Sequence, residues 1–272
     1  MTRGEVRQRG FALLVVLWTL ALLALLGTHL LAAGRQDAQL ARNLLDGAVL
    51  EAAANGAVQQ AVFDVLDSYG RHRSPGYSVR TMQLGRAVVA VRVEDEADKV
   101  NPNIASPKLL QALLLQIGAD PDTAAAVAAS IVEWRLASGT VARPSAAVAR
   151  YVASGRDYAP SGAPFASPDE LAGVLGMTPD LLARLRPHLT VFTDGDPSRA
   201  TQDPVVALAL AAIGQRAVEA DEAGSGLMSV TADARGPGQA RFTLHVIVRI
   251  NGRPEGARYE ILAYERLLSD QF

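Results

Sequence analysis

The sequence predicts an α+β protein: one α/β domain with a large helical insert, behind a long N-terminal helix. Three observations carry this expectation. Residues 11–33 contain no Asp, Glu, Lys or Arg. Segments rich in β-branched residues stand on both sides of a middle rich in Ala and Leu. That middle, residues 101–193, is punctuated by Ser-Pro pairs and glycines that mark the starts and ends of short helices.

Composition sets outer bounds. A chain of 272 residues, 49% of them hydrophobic, is long enough for one large core or two smaller ones. The formal net charge of −2 offers no global attraction for nucleic acid or for an acidic surface. The absence of cysteine excludes disulfides, thiolate zinc sites and cysteine catalysis.

The N-terminus predicts a leader and an anchor. At about 1.5 Å per residue, a helix over 11–33 crosses the roughly 30 Å hydrocarbon core of a bilayer. Arg3, Arg7 and Arg9 precede it, opposed only by Glu5, so residues 1–10 are expected on the cytoplasmic side and the remainder across the membrane. His29 falls near the outer end of the span, as a snorkelling interfacial residue would. An ordinary secretory signal fits less well. Its apolar region is shorter, and Leu31-Ala32-Ala33 places a leucine where the cleavage motif wants a small residue. Cleavage between Gly10 and Phe11 fits better, because Gly10 lets a protease approach its carbonyl closely.

Beyond the span, Leu40, Leu44, Ala48 and Ala52 recur every four residues, as do Val58, Val62 and Leu66. A continuous helix from Phe11 to Asp67 would be about 85 Å long, ended by Ser68-Tyr69-Gly70 and Ser74-Pro75-Gly76. Strands are expected over Arg86–Val93, Leu227–Ala232, Arg241–Ile250 and Arg258–Glu265, with a tight turn at Asn251-Gly252. An acidic turn, Glu94 to Asp98, follows the first of them. The middle holds a weak repeat. Ser106-Pro107 and Ser167-Pro168 each start a helix, and Gly118 and Gly176 each turn into a second one, which makes two helix-hairpin-helix units.

The basic leader, Gly10, Phe11 and the long apolar helix resemble the class III signal of type IV pilins and pseudopilins. Most pilins carry Glu at the fifth mature position; this chain has Val15 there, and the K-type minor pseudopilin is the member of that superfamily that lacks the Glu. The segments Glu94–Pro107, Ile131–Arg135 and Ala163–Val191 resemble the matching segments of that K-type family of the type II secretion system. One departure stands after the second hairpin. Thr201-Gln202-Asp203-Pro204 precedes an expected helix over 205–219, where the family often shows an Asn-Val-Asn-Thr-Ala-type segment.

The resemblance implies a pilin-like long transmembrane helix packed on an antiparallel sheet, with the all-α helix-hairpin-helix (SAM-like) domain inserted. It divides the chain into a leader (1–10), a transmembrane segment (11–33), a stalk helix with the first strands (34–100), the insert (101–193) and the remainder of the sheet domain (194–272). It implies a single-pass protein of the bacterial inner membrane with a periplasmic C-terminal domain. Processing would be by prepilin peptidase with N-methylation of Phe11. The partners would be the I- and J-type minor pseudopilins and the major pseudopilin. The role would be structural, at the tip of a periplasmic pseudopilus that exports folded proteins.

No enzymatic motif is present: neither a Gly-x-Ser-x-Gly elbow, nor His-Glu-x-x-His, nor a phosphate loop. His188 and His245 read as structural histidines. Helix-hairpin-helix units can bind DNA through backbone amides aided by basic side chains. Here Lys108, Arg135, Arg143, Arg150, Arg156, Arg184 and Arg186 are matched by Asp120, Asp122, Glu133, Asp157, Asp169, Glu170 and Asp180. Nucleic acid is therefore not expected as a partner, and a pilin-like, membrane-anchored DNA-binding competence protein is the alternative function. Asp194-Gly195-Asp196 with Asp203 offers hard oxygen ligands for a structural Ca²⁺; the alternative is a solvated acidic loop. Glu94, Asp95, Glu96 and Asp98 form a second, weaker candidate.

Overall fold

The computed structural model describes residues 6–70, 78–136, 145–198, 200–214, 226–236, 240–251 and 258–267. Helix α1 (Val6–Gly70) is followed by strands β1 (Ser78–Leu84) and β2 (Ala87–Asp95). The chain then leaves the sheet through a 3₁₀ turn at Glu96–Asp98 into α2 (Pro107–Gln116), α3 (Pro121–Leu136), α4 (Ala146–Ala153), α5 (Pro179–Leu185) and α6 (Pro204–Ala212). It returns as β3 (Leu227–Arg235), β4 (Arg241–Asn251) and β5 (Arg258–Leu267). The five strands form one antiparallel sheet in sequence order.

Helix α1 rests on the sheet through Leu50, Ala53, Ala54, Ala57, Val58, Ala61, Val62 and Val65, all buried. Their three-and-four spacing keeps them on one stripe of the helix. The alanines bring the helix backbone close to alternate strand residues: Val89, Val91 and Val93 of β2, Val230 and Ala232 of β3, and Val246 and Val248 of β4. Of the two expected repeats, Val58 and Val62 are buried, whereas Leu40, Leu44, Ala48 and Ala52 are exposed. The sheet reaches α1 only from Leu50 onward, so among the described residues nothing covers Leu40, Leu44 and Ala48. Polar bridges fasten the flanks of α1: Arg80 of β1 pairs with Asp64, and Tyr264 Oη of β5 donates to Asn55 Oδ1 at 2.8 Å.

Strand β1 was not expected. It exists because Gly85, at φ +60°, closes a two-residue hairpin that pairs Leu84 with Ala87. Arg86, expected as a strand residue, sits in that turn, and β2 runs on to Asp95. Strand β3 continues past Ala232 to Arg235 because Ala234 still faces the core.

The helical insert has a separate core. Leu109, Leu110 and Leu113 of α2, Val127 and Ile131 of α3, and Leu181 and Leu185 of α5 meet there. An aromatic cluster closes it, with Trp134 stacked on Phe165 at 6.0 Å between centroids and Tyr151 at 5.9 Å. Val206, Ala209 and Leu210 of α6 belong to the same core. The helical body therefore extends past the expected boundary at residue 193. The physical reason is that α6 buries an apolar face on α2, and the sheet core leaves no place for it.

The repeat is imperfect. Ser106 caps α2, its Oγ accepting from Leu109 N at 3.2 Å, whereas Ser167 makes no side-chain cap and its segment is a 3₁₀ turn at Pro168–Gly173. Gly118 and Gly176 take φ values of +88° and +83°, the left-handed backbone both hairpins need.

Among the described residues no helix is long and apolar enough to cross a membrane. The side chains of 27 and 29–33 in the expected span lie outside the described residues. So do residues 1–5, Ser74-Pro75-Gly76, Gly252 and the end of the helix expected over 205–219.

Two substitutions in α1 separate its packed face from its bare one. A Cβ at Gly47 would meet nothing within 4 Å, so Gly47→Ala should raise stability by roughly 0.5–1 kcal/mol through helix propensity. Ala57 is fully buried against the sheet, so Ala57→Leu should lower it by roughly 1–3 kcal/mol through overpacking. Urea unfolding of the detergent-solubilised chain measures both, and a neutral Ala57→Leu would contradict this packing.

Candidate functional site

The two cores meet where β2 leaves the sheet and β3 re-enters it. Asp95 and Met228 are paired neighbours, so both ends of the insert emerge side by side. The connection is short and polar. Val100 forms a parallel bridge to Leu189, with Val100 N donating to His188 O at 2.9 Å and Thr190 N to Val100 O at 3.0 Å. Asn101 Nδ2 donates to Thr193 O at 2.6 Å. Thr201 Oγ1 donates to Asp98 O at 2.9 Å, and Gln202 N to Asp98 Oδ1 at 3.0 Å. The first residues of the insert are thus tied to its last ones.

Beneath this neck lies a buried ion pair. Glu96 is 1% exposed, and its Oε1 accepts from Lys99 Nζ at 2.5 Å. Lys99 Nζ also donates to Ser229 Oγ of β3 at 3.2 Å and lies 3.3 Å from Glu94 Oε2 of β2. One ammonium therefore joins the turn, β2 and β3. Burial alone would push the Glu96 carboxyl up, but the charge of Lys99 and hydrogen bonds involving Lys99, Thr190 and Ser229 hold it below its ordinary value. Burial alone would lower Lys99, but Glu96 and Glu94 hold it above its ordinary value. Both groups are thus charged in the folded chain across the neutral range. Their contribution to stability is lost as pH falls through the depressed Glu96 value, or rises through the raised Lys99 value.

The candidate calcium residues do not assemble. Asp203 Oδ1 caps α6 by accepting from Val205 N and Val206 N, and Oδ2 lies 2.6 Å from His188 Nδ1. Burial pushes the Asp203 carboxyl up, yet the His188 contact and the capping amides hold it below its ordinary value. Asp196 is felt electrostatically by Arg135 instead, and its carboxyl is raised by burial. Asp194 joins neither contact. In the second candidate, Glu94 and Glu96 face Lys99, Asp95 caps the 3₁₀ turn through Ala97 N, and Asp98 caps Gln202. Among the described residues, no three acidic or histidine side chains form a group that could hold a metal ion. Of the donors that spacing offers, Asp203, Glu94, Asp95, Glu96 and Asp98 are engaged in caps and ion pairs.

Four arginines of the insert are engaged within it as well. Arg135 donates to Pro102 O and Ala105 O, Arg184 donates to Ile117 O and pairs with Asp180, Arg186 pairs with Asp169, and Arg150 pairs with Glu133. Asp120 Oδ1 accepts from Thr123 N, at the hairpin where a phosphate would have to sit. His245 Nδ1 lies 2.9 Å from Thr231 Oγ1, so both histidines singled out in the sequence have partners. Val15 and Phe11 stand exposed on α1, and Gly10 lies within the same helix.

Sequence reasoning missed Lys99. A lysine inside an acidic run reads as solvated, and the available signal was its place three residues after Glu96, one 3₁₀ turn away. Removing one partner of a buried pair strands the other. Lys99→Met should therefore destabilise the chain by roughly 3–5 kcal/mol, and the double variant Glu96→Gln/Lys99→Met by much less. Chemical unfolding of the four species measures this, and additive losses would contradict a coupled pair.

Comparison with known proteins adds two findings. The family model "Type II secretion system (T2SS), protein K" matches residues 86–194. The fold is similar to a chain in a crystal structure of the GspK-GspI-GspJ complex from the enterotoxigenic Escherichia coli Type 2 Secretion System. The TM-score is 0.58 at 18% identity, over 86% of this chain and 99% of that one. No curated protein matches the sequence. The matched segment runs from β2 through the ion pair and both hairpins to Asp194, and over it the chain is similar to the type II secretion system protein K family.

Proposed function

We propose that the chain is a minor pseudopilin of a type II secretion system, a structural subunit and not an enzyme. The observation that carries the reading is the bare N-terminal half of α1. From Phe11 to Leu26 every side chain is exposed, Phe11 at 73% and Trp18 at 70%. Leu40, Leu44 and Leu45 continue the exposure to the edge of the sheet domain. Apolar surface of this extent needs a lipid or protein environment. In this reading, residues 11–33 anchor the chain in the inner membrane, and the leucines beyond them meet the helices of neighbouring subunits.

The remaining assignments follow from it. Prepilin peptidase cuts between Gly10 and Phe11, and the new amine is methylated. The sheet and helical body lie in the periplasm. The partners are I- and J-type minor pseudopilins, the types named in the similar complex, together with the major pseudopilin. The subunit stands at the tip of the pseudopilus and is needed for its assembly and for export of folded proteins across the outer membrane.

Val15 supports the tip position. A carboxylate within a bilayer costs roughly 2.5–3.5 kcal/mol on insertion scales. A shaft subunit offsets this by pairing Glu with the amine of the subunit above, and a tip subunit has none above it. The helical body, attached through one narrow neck, would crowd a packed shaft but is free at an end.

Two measurements on cells test the reading. Protein isolated from membranes should begin at Phe11, and a start at or beyond Gly34 would overturn the processing assignment. Immunogold directed at the helical body should mark fibre ends only, and labelling along the shaft would overturn the tip position.

A further inference from the structure

We propose that His245 makes the docking of the helical body on the sheet acid-sensitive, its protonation releasing the junction while both cores remain folded. The inference rests on the geometry of the sheet's outer face and is independent of the pseudopilin reading. His245 lies in the middle of β4, opposite Thr231 on β3 and opposite Glu265 on β5. Two residues from Thr231 on the same face is Ser229, whose hydroxyl accepts from Lys99 Nζ. His245 is therefore the diagonal neighbour, about 7–8 Å away in such ladders, of the serine that holds the ammonium.

The charged groups that act on the ring are Lys99 after the 3₁₀ turn, Glu96 within it, Glu94 on β2 and Glu265 on β5. Glu94 and Glu96 already hold Lys99. A second cation beside them repels the ammonium and competes for the same two carboxylates. The ring's contact at Thr231 Oγ1 persists in either charge state, so it offers the imidazolium no added anion. The weak point is Lys99 itself, because the Val100–Leu189 bridge and the contacts of Asn101 and Asp98 tie the ends of the insert to each other and not to the sheet.

Burial and then the charge of Lys99 hold His245 below its ordinary value, outweighing Glu96, Glu265 and Glu94. With the folded value depressed, the closed junction binds fewer protons than the open one. Its stability is fully present above about pH 6.5, the ordinary histidine value, and is lost as pH falls toward the folded value. Glu96 is held below its own ordinary value and stays ionised across that window.

Hydrogen exchange read by mass spectrometry on the full chain in detergent tests the proposal, at about pH 7.5 and about pH 5.5, either side of that value. Peptides covering the turn at Glu96–Asp98 and Lys99, whose amide donates to Glu96 O, should lose protection on acidification, by up to about tenfold per pH unit below the open-state value once intrinsic rates are corrected. Peptides from α2 and from β3 should keep theirs. His245→Gln should abolish the acid loss. Glu265→Gln removes a charge that favours the imidazolium, so it should deepen the loss; this variant carries the test if His245→Gln does not fold. Unchanged junction protection in the parent chain, an acid loss that persists in His245→Gln, or Glu265→Gln behaving like the parent would each overturn the proposal.

Discussion

One ammonium group, Lys99 Nζ, sits where the chain leaves the sheet, and the relation between the two halves of the protein depends on it. It touches the carboxylate of the 3₁₀ turn, a carboxylate of β2 and a hydroxyl of β3. Two charges taken out of water are held only when their mutual attraction and added hydrogen bonds offset the lost hydration. That requirement fixes the position of the turn to within hydrogen-bond distance, and the turn in turn aims Val100 at Leu189. A hydrophobic contact at the same place would tolerate sliding. The ion pair does not, so the helical body has one seat on the sheet.

This arrangement accounts for how a sheet can carry so large an insertion. The strands on either side of it, β2 and β3, are adjacent and antiparallel, so the ladder closes as if the insert were a hairpin loop. Each body keeps its own core, one built on α1 and the strands, the other on α2, α3, α5 and α6. Loop-closure entropy grows only slowly with length, and the cost of the insertion is met by the core it brings with it.

Much of this was legible in the sequence. The four strands with alternating apolar residues were found because a buried face imposes a period of two, and α2 was found because Ser106-Pro107 is both cap and first turn. Three features were not legible. Strand β1 alternates only weakly, since it lies at the sheet edge and its residues are exposed or half-buried. The repeat at Val58 and Val62 does meet the sheet, but periodicity does not reveal that the sheet begins only at Leu50 and leaves Leu40 and Leu44 bare. The acidic loop around Asp194 and Asp203 offered both a cation site and a solvated loop, because spacing shows donors without showing that His188 and the α6 amides already engage Asp203. Buried polar partners are tertiary facts, and apart from a local spacing such as Glu96 to Lys99 a linear pattern carries little trace of them.

The account turns on the bare apolar helix being an assembly surface. Its most direct measurement is co-purification from membranes after co-expression with the I- and J-type minor pseudopilins of the same secretion system. The account predicts one defined complex containing all three chains, stable to size-exclusion chromatography. Recovery of this chain alone, with I and J associating without it, would contradict the account.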